Sequence, residues 1–224
     1  MKYLSIDIET TGLNPEKHQI LSIGVIVEDT ARKLPFELLP KFHCAVVSDE
    51  ITGGLFALNM NKDLIGLINK WNISSDEEKE KIERDCGMIF CKEDEVVEHL
   101  FNFLFKNYKF SDLPTRLAND TTRLLPREAF SVVKTTGAKI NLNVAGKNFA
   151  TFDKLFLERL PRWKQVFNIH QRILDPAIFF TDWQVDERLP NLSTCKQRAG
   201  LSDIITHNAV EDAFDVVQLL RTQY

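Results

Sequence analysis

Asp7 and Glu9 stand two residues apart in and just beyond an apolar-rich run over residues 3–8. Such a run reads as a short buried strand, and a strand alternates its side chains with period two. Both carboxylates therefore face the same side. Two like charges beside each other in an apolar element are unfavourable unless one takes up a proton or a cation lies between them. A hard divalent cation with oxygen ligands meets that need. The plain alternative is a strand end emerging into water, with both acids solvated. Three more residues invite the same question. Asp153 ends Asn148-Phe149-Ala150-Thr151-Phe152-Asp153, and His207-Asn208-Ala209-Val210-Glu211-Asp212 holds a histidine five residues before an aspartate. Taken singly, Asp153 and Asp212 are acids favoured by a helix macrodipole, and His207 is a loop histidine.

These residues need elements to position them. The 224 residues suit one ordinary domain with room for an inserted subdomain. With 44% hydrophobic and 27% charged residues the composition is globular. Net charge is −4 and the sequence pI about 5.8, which argues against a protein that coats duplex DNA by bulk charge. The sign is uneven, with a net −8 over residues 1–100 and +4 over 101–224. A basic excess runs through Lys106, Arg116, Arg123, Arg127, Lys134, Lys139 and Lys147. No apolar run approaches the ~20 residues of a membrane span, and the N-terminus has no signal-peptide pattern. Cys44, Cys86, Cys91 and Cys195 form no C-x-x-C pair and no zinc spacing. Reduced thiols and a cytoplasmic location, with no membrane partner, are the expectation.

After the first strand, Thr11-Gly12-Leu13-Asn14-Pro15 is a turn. Strands follow over 19–27 and 36–47, the latter broken or at an edge because of Pro35 and Pro40. Residues 61–71 have helical spacing. Ser74-Ser75 before three acids caps a charged helix to about residue 84. An amphipathic, phenylalanine-rich helix spans 93–108, and another is expected over 126–135 with Pro at its first turn. A strand over 141–145 leads to a helix over 149–160. A strand at 172–174 ends at Asp175-Pro176, and helices over 189–199 and 210–220 complete the chain. This order reads as α/β, a mixed sheet covered by helices.

Together the chemical residues resemble the DEDDh group of 3′→5′ exonucleases, which includes proofreading subunits of DNA polymerases, oligoribonuclease and ribonuclease T. The resemblance rests on Asp7-Ile8-Glu9-Thr10-Thr11-Gly12-Leu13-Asn14-Pro15, on His207-Asn208-Ala209-Val210-Glu211-Asp212-Ala213, and on the weaker Val144-Ala145-Gly146-Lys147-Asn148 with Asp153. The five-residue step from Asn148 to Asp153 is more like oligoribonuclease than like the proofreading subunits. Residues 52–91 do not match the family's short core and are expected to form a helical insertion in a single domain spanning 1–224.

The resemblance implies a ribonuclease H-like fold, a five-stranded mixed sheet with flanking helices. It implies two divalent cations, Mg²⁺ or Mn²⁺, with Asp7 shared between them, Glu9 and Asp212 joining it at one, and Asp153 acting through bound water. Imidazole exchanges protons near physiological pH, and His207 is the implied general base. The substrate implied is a single-stranded 3′ end, DNA or RNA, cut to nucleoside 5′-monophosphates. Short oligoribonucleotides are the first alternative; a polymerase-associated binding module without catalysis is the second. Backbone groups of Thr10 and Thr11 are expected near the terminal 3′-OH, with Leu13 wedged against the last base. Phe149 is a candidate stacking surface. Asn148 either binds the substrate backbone or caps its helix. An association with a DNA polymerase, in proofreading or repair, is the partner expectation.

Overall fold

The computed structural model describes residues 1–108 and 126–224. Arg116 and Arg123, and the rest of the basic run between 109 and 125, lie outside these. The first strand, β1 (Lys2–Thr10), pairs antiparallel with β2 (Ile20–Asp29), and β2 with β3 (Lys41–Val47). Three helices follow: α1 (Leu55–Met60), α2 (Lys62–Ile73) and α3 (Asp76–Cys86). Ser75 and Glu78 form a reciprocal capping box at the start of α3, as the serine-before-acids pattern predicts. Strand β4 (Ile89–Lys92) then adds parallel to β3 at the sheet edge. Next come α4 (Val96–Asn107), α5 (Pro126–Thr136), β5 (Ile140–Leu142) and β6 (Val144–Ala145). The chain ends with α6 (Asp153–Leu157), α7 (Trp163–Val166), β7 (Phe167–Ile169), α8 (Leu192–Arg198) and α9 (Ala209–Arg221).

The mixed sheet has five strands in the order β4-β3-β2-β1-β6. Its membership differs from the sequence expectation. The fifth strand is β4, which residues 89–92 gave no clear periodicity to reveal. The strand expected at 172–174 makes a single parallel bridge, Leu174 to Ala145, while β7 pairs with β5 in a separate two-stranded sheet. Only Asn143 separates β5 from β6. The same stretch thus pairs with β7 in its first half and with β1 in its second.

Strand β1 is buried on both faces, as a central strand should be. Leu4, Ile6 and Ile8 enter a large core with α4, α5, α6 and α7, and Tyr3 joins Ile26 against α9. The helix α9 buries Ala209, Asp212, Ala213, Val216, Val217 and Leu220, spacings of three and four that form one stripe. Its C-terminal end is clamped by Arg221, whose guanidinium donates to the fully buried Glu28 carboxylate at 2.6 Å and to the Leu34 carbonyl at 2.8 Å. The 52–91 stretch packs at the β3/β4 edge. There Trp71 stacks on Phe90 at 5.3 Å, and Ile68, Ile82 and Met88 close a small core.

Candidate active site

The acids expected from β1 sit where the last helix meets the sheet. Asp7 pairs with Gly24 across β1 and β2. A Cβ on Gly24 would lie 2.2 Å from the Ala209 backbone, so glycine is what lets the start of α9 settle onto the strand. The landing places Asp212, one turn into α9, beside Glu9. One ligand atom each from Glu9, His207 and Asp212 lie within 4.8 Å of one another. Asp153 comes from the other side of β1. It opens α6, and its Oδ1 accepts the Ile8 amide at 3.1 Å.

Burial and mutual repulsion set the electrostatics. Burial, then the charges of Asp153, Asp212 and Glu9, push the Asp7 carboxyl well above the usual carboxylate range. Glu9 is pushed up to about 7 by burial and Asp212, with a hydrogen bond from Asn61 working against the rise. Asp153 rises to about 7, chiefly by burial, and the Ile8 amide opposes the rise. Asp212 rises to about 6 through burial and the neighbouring Asp215 charge, opposed by Lys196 and by the Thr206 amide. Four carboxyl groups at one strand end cannot all ionise without a counter-charge. Asp212 Oδ1 is buried and has no hydrogen-bond partner among the described residues. An all-oxygen cluster with an open acceptor fits a hard divalent cation. Glu9, His207 and Asp212 could share such an ion by distance, and Asp7 and Asp153 lie close enough to feel the charge of these acids.

The substrate side departs from expectation at several positions. Phe149 is 1% exposed and packs in the main core, so it presents no ring to a ligand. It is turned inward against Gly146, where a Cβ would meet it at 2.9 Å. That inward turn also breaks the helix expected over 149–160: only Asp153–Leu157 is helical, with Asn148 (φ 63°) and Arg162 (φ 69°) bounding it in the left-handed region. The Thr11 amide donates to the Gln19 carbonyl, and its own carbonyl accepts the Gly54 amide at 2.8 Å. The Thr10 carbonyl accepts from Asn61. These bonds fix the backbone of the turn next to Glu9. Leu13, by contrast, is 82% exposed. Asn148 has an exposed side chain that caps nothing. Its amide donates to Asp175, whose other oxygen caps Ala177.

Asn61 escaped the sequence reading. It is buried at the α1–α2 junction and donates to the Ala57 and Thr10 carbonyls and to the Glu9 carboxylate. Gly53 packs against Thr11, so both ends of α1 touch the first motif. Between them Leu55 and Phe56 are exposed. A lone asparagine in a helical pattern carries no signal in sequence, because its partners in the first motif lie some 50 residues away.

No family model matches the chain, and no protein of curated function matches it in sequence. Solved structures do resemble it. E. coli Exonuclease I in complex with a dT13 oligonucleotide aligns with a TM-score of 0.51 at 13% identity, over 99% of this chain and 40% of that one. The same enzyme in complex with a dA16 oligonucleotide gives 0.51 at 12% identity, over 99% and 41%. This chain thus spans about two-fifths of that enzyme's length. With five mixed strands flanked by helices, the fold is ribonuclease H-like.

Proposed function

We propose that this chain is a metal-dependent 3′→5′ exonuclease that hydrolyses the last phosphodiester of a single-stranded DNA or RNA end and releases nucleoside 5′-monophosphates. The convergence of Asp7, Glu9, Asp153 and Asp212 on one buried strand end, with Asp212 Oδ1 unpartnered, is the observation that carries this reading. Bound Mg²⁺ or Mn²⁺ would activate water and stabilise charge on the phosphoryl oxygens. The chain supplies the rest. The four carboxylates hold the cations. His207 accepts the proton of the attacking water from a loop open to solvent. Leu13 and the exposed residues of α1 give the terminal nucleotides an apolar surface beside the first motif. Of the 52–91 stretch, β4 completes the sheet, and we read the three helices before it as an insertion on one catalytic domain, contributing Asn61 and that surface.

A matched panel of 5′-labelled single-stranded DNA, single-stranded RNA, dinucleotides and duplex DNA with Mg²⁺ or Mn²⁺ tests the reading. DNA heads the panel because the similar Exonuclease I was solved with DNA oligonucleotides. The expected outcome is a ladder shortening from the 3′ end on single strands. Preference for dinucleotides or RNA would move the substrate class, and loss of no strand in the panel would remove the activity.

A further inference from the structure

Among the described residues Lys196 is a buried lysine outside the carboxylate cluster. It lies on α8 and is 5% exposed. Its ammonium binds the Asp215 carboxylate on α9 and donates to the Ile204 carbonyl at 2.7 Å. Ile204 belongs to the connection over 201–208, which forms neither helix nor strand and carries His207. The same connection reaches Asp212 through the Thr206 amide. His207 itself is held at φ 52°, in the left-handed region, before Asn208 caps α9 through the Val210 and Glu211 amides. A loop without ladder bonds, with its histidine in a costly backbone conformation, needs outside fixation.

A buried ion pair is weak evidence for stability, because desolvating both charges offsets most of their attraction. Its geometry has a clearer consequence. Lys196 joins three things through one nitrogen: its own helix, the helix bearing Asp212, and the loop bearing His207.

We propose that Lys196 is a positioning residue for His207. Its grip on the Ile204 carbonyl, anchored by Asp215, holds the loop so that the imidazole stays within reach of Glu9 and Asp212. The inference rests on the nuclease reading for its kinetic consequence, and on the loop alone for its structural one.

Removing the lysine by itself would leave Asp215 as an unpaired charge near Asp212, so the test replaces the pair. Lys196→Met/Asp215→Asn is made in the native chain and in His207→Ala, and kcat and KM are measured on a single-stranded oligonucleotide with saturating Mn²⁺. Misplacing a proton acceptor costs turnover rather than affinity. The paired variant should lose roughly tenfold in kcat with KM nearly unchanged. In the His207→Ala background the same change should cost less than about twofold, because the residue it positions is gone. An equal loss in both backgrounds, or no loss in the native one, overturns the proposal. Amide hydrogen exchange is read in parallel over residues 202–208. The paired variant should exchange faster there while α9 from Val216 onward stays protected. Unchanged exchange overturns the grip itself, whether or not the protein is a nuclease. A native chain that cuts no strand fails the functional reading instead, and the two failures are told apart. Lys196→Gln/Asp215→Asn, which keeps a donor for the carbonyl, should recover part of the lost kcat and of the lost protection.

Discussion

At the scale of single residues, the site concentrates charge that the fold does not need. Asp7 is disfavoured as an anion by burial and by three neighbouring carboxylates. Replacing it with asparagine removes that penalty and removes a proposed cation ligand together. Asp7→Asn should therefore abolish hydrolysis while raising the thermal midpoint measured without divalent cations at about pH 8. A lower midpoint would mean that Asp7 makes a structural contact outweighing its repulsion. The residues legible in sequence were those whose chemistry is costly to bury. Asp7 and Glu9 declare themselves by period two, whereas Asp153, His207 and Asp212 stood out only through the motifs they share with a known family. Phe149 was misjudged because an aromatic beside a substrate loop and an aromatic beneath it look alike until the backbone turn is known. Asn61 was invisible because its role exists only through contacts distant in sequence.

At the scale of elements, one glycine governs the approach of a helix to a strand. A methyl group on Gly24 would lie 2.2 Å from backbone atoms of Ala209, which cannot swing aside as a side chain can. Gly24→Ala should cost about 2–4 kcal/mol of stability, read by denaturant unfolding. Activity in the surviving folded fraction should also fall, since the start of α9 carries Asp212. Element types followed from several long patterns: β1, β2, α4 and α9 match the sequence expectation within a few residues, while the helix expected over 149–160 shrinks to Asp153–Leu157. Several short elements did not. Strands β4 and β7 and helices α1 and α7 have seven residues or fewer and take their form from the sheet edge and core they meet. The α/β class and a mixed sheet were readable from the order of elements. Which strand closes each edge was not, because edge pairing depends on chain path rather than periodicity.

At the scale of the whole molecule, the acid cluster ties stability to pH and to cations. Glu9 and Asp153 titrate at about 7 and Asp212 at about 6 in the folded chain, against about 4 when unfolded. Between those limits the folded state binds more protons, so without divalent cations the cluster's contribution to stability is lost as pH rises from about 4 to about 7. His43, pushed down to about 4 by burial, acts the other way and subtracts stability as pH falls from about 6.5 to about 4. Bound Mn²⁺ replaces the missing protons. Its gain in thermal midpoint should therefore grow from about pH 5 to about pH 8; a gain independent of pH would place the binding elsewhere. The central claim is that these carboxylates hold the cations of a 3′→5′ nuclease. It is tested most directly by a time course on a 5′-labelled single-stranded oligonucleotide with Mg²⁺ or Mn²⁺, native chain against Asp7→Asn. The account predicts one-nucleotide steps from the 3′ end, stopped by a chelator and lost in Asp7→Asn. An intact strand under the native chain, or an undiminished ladder under Asp7→Asn, would contradict it.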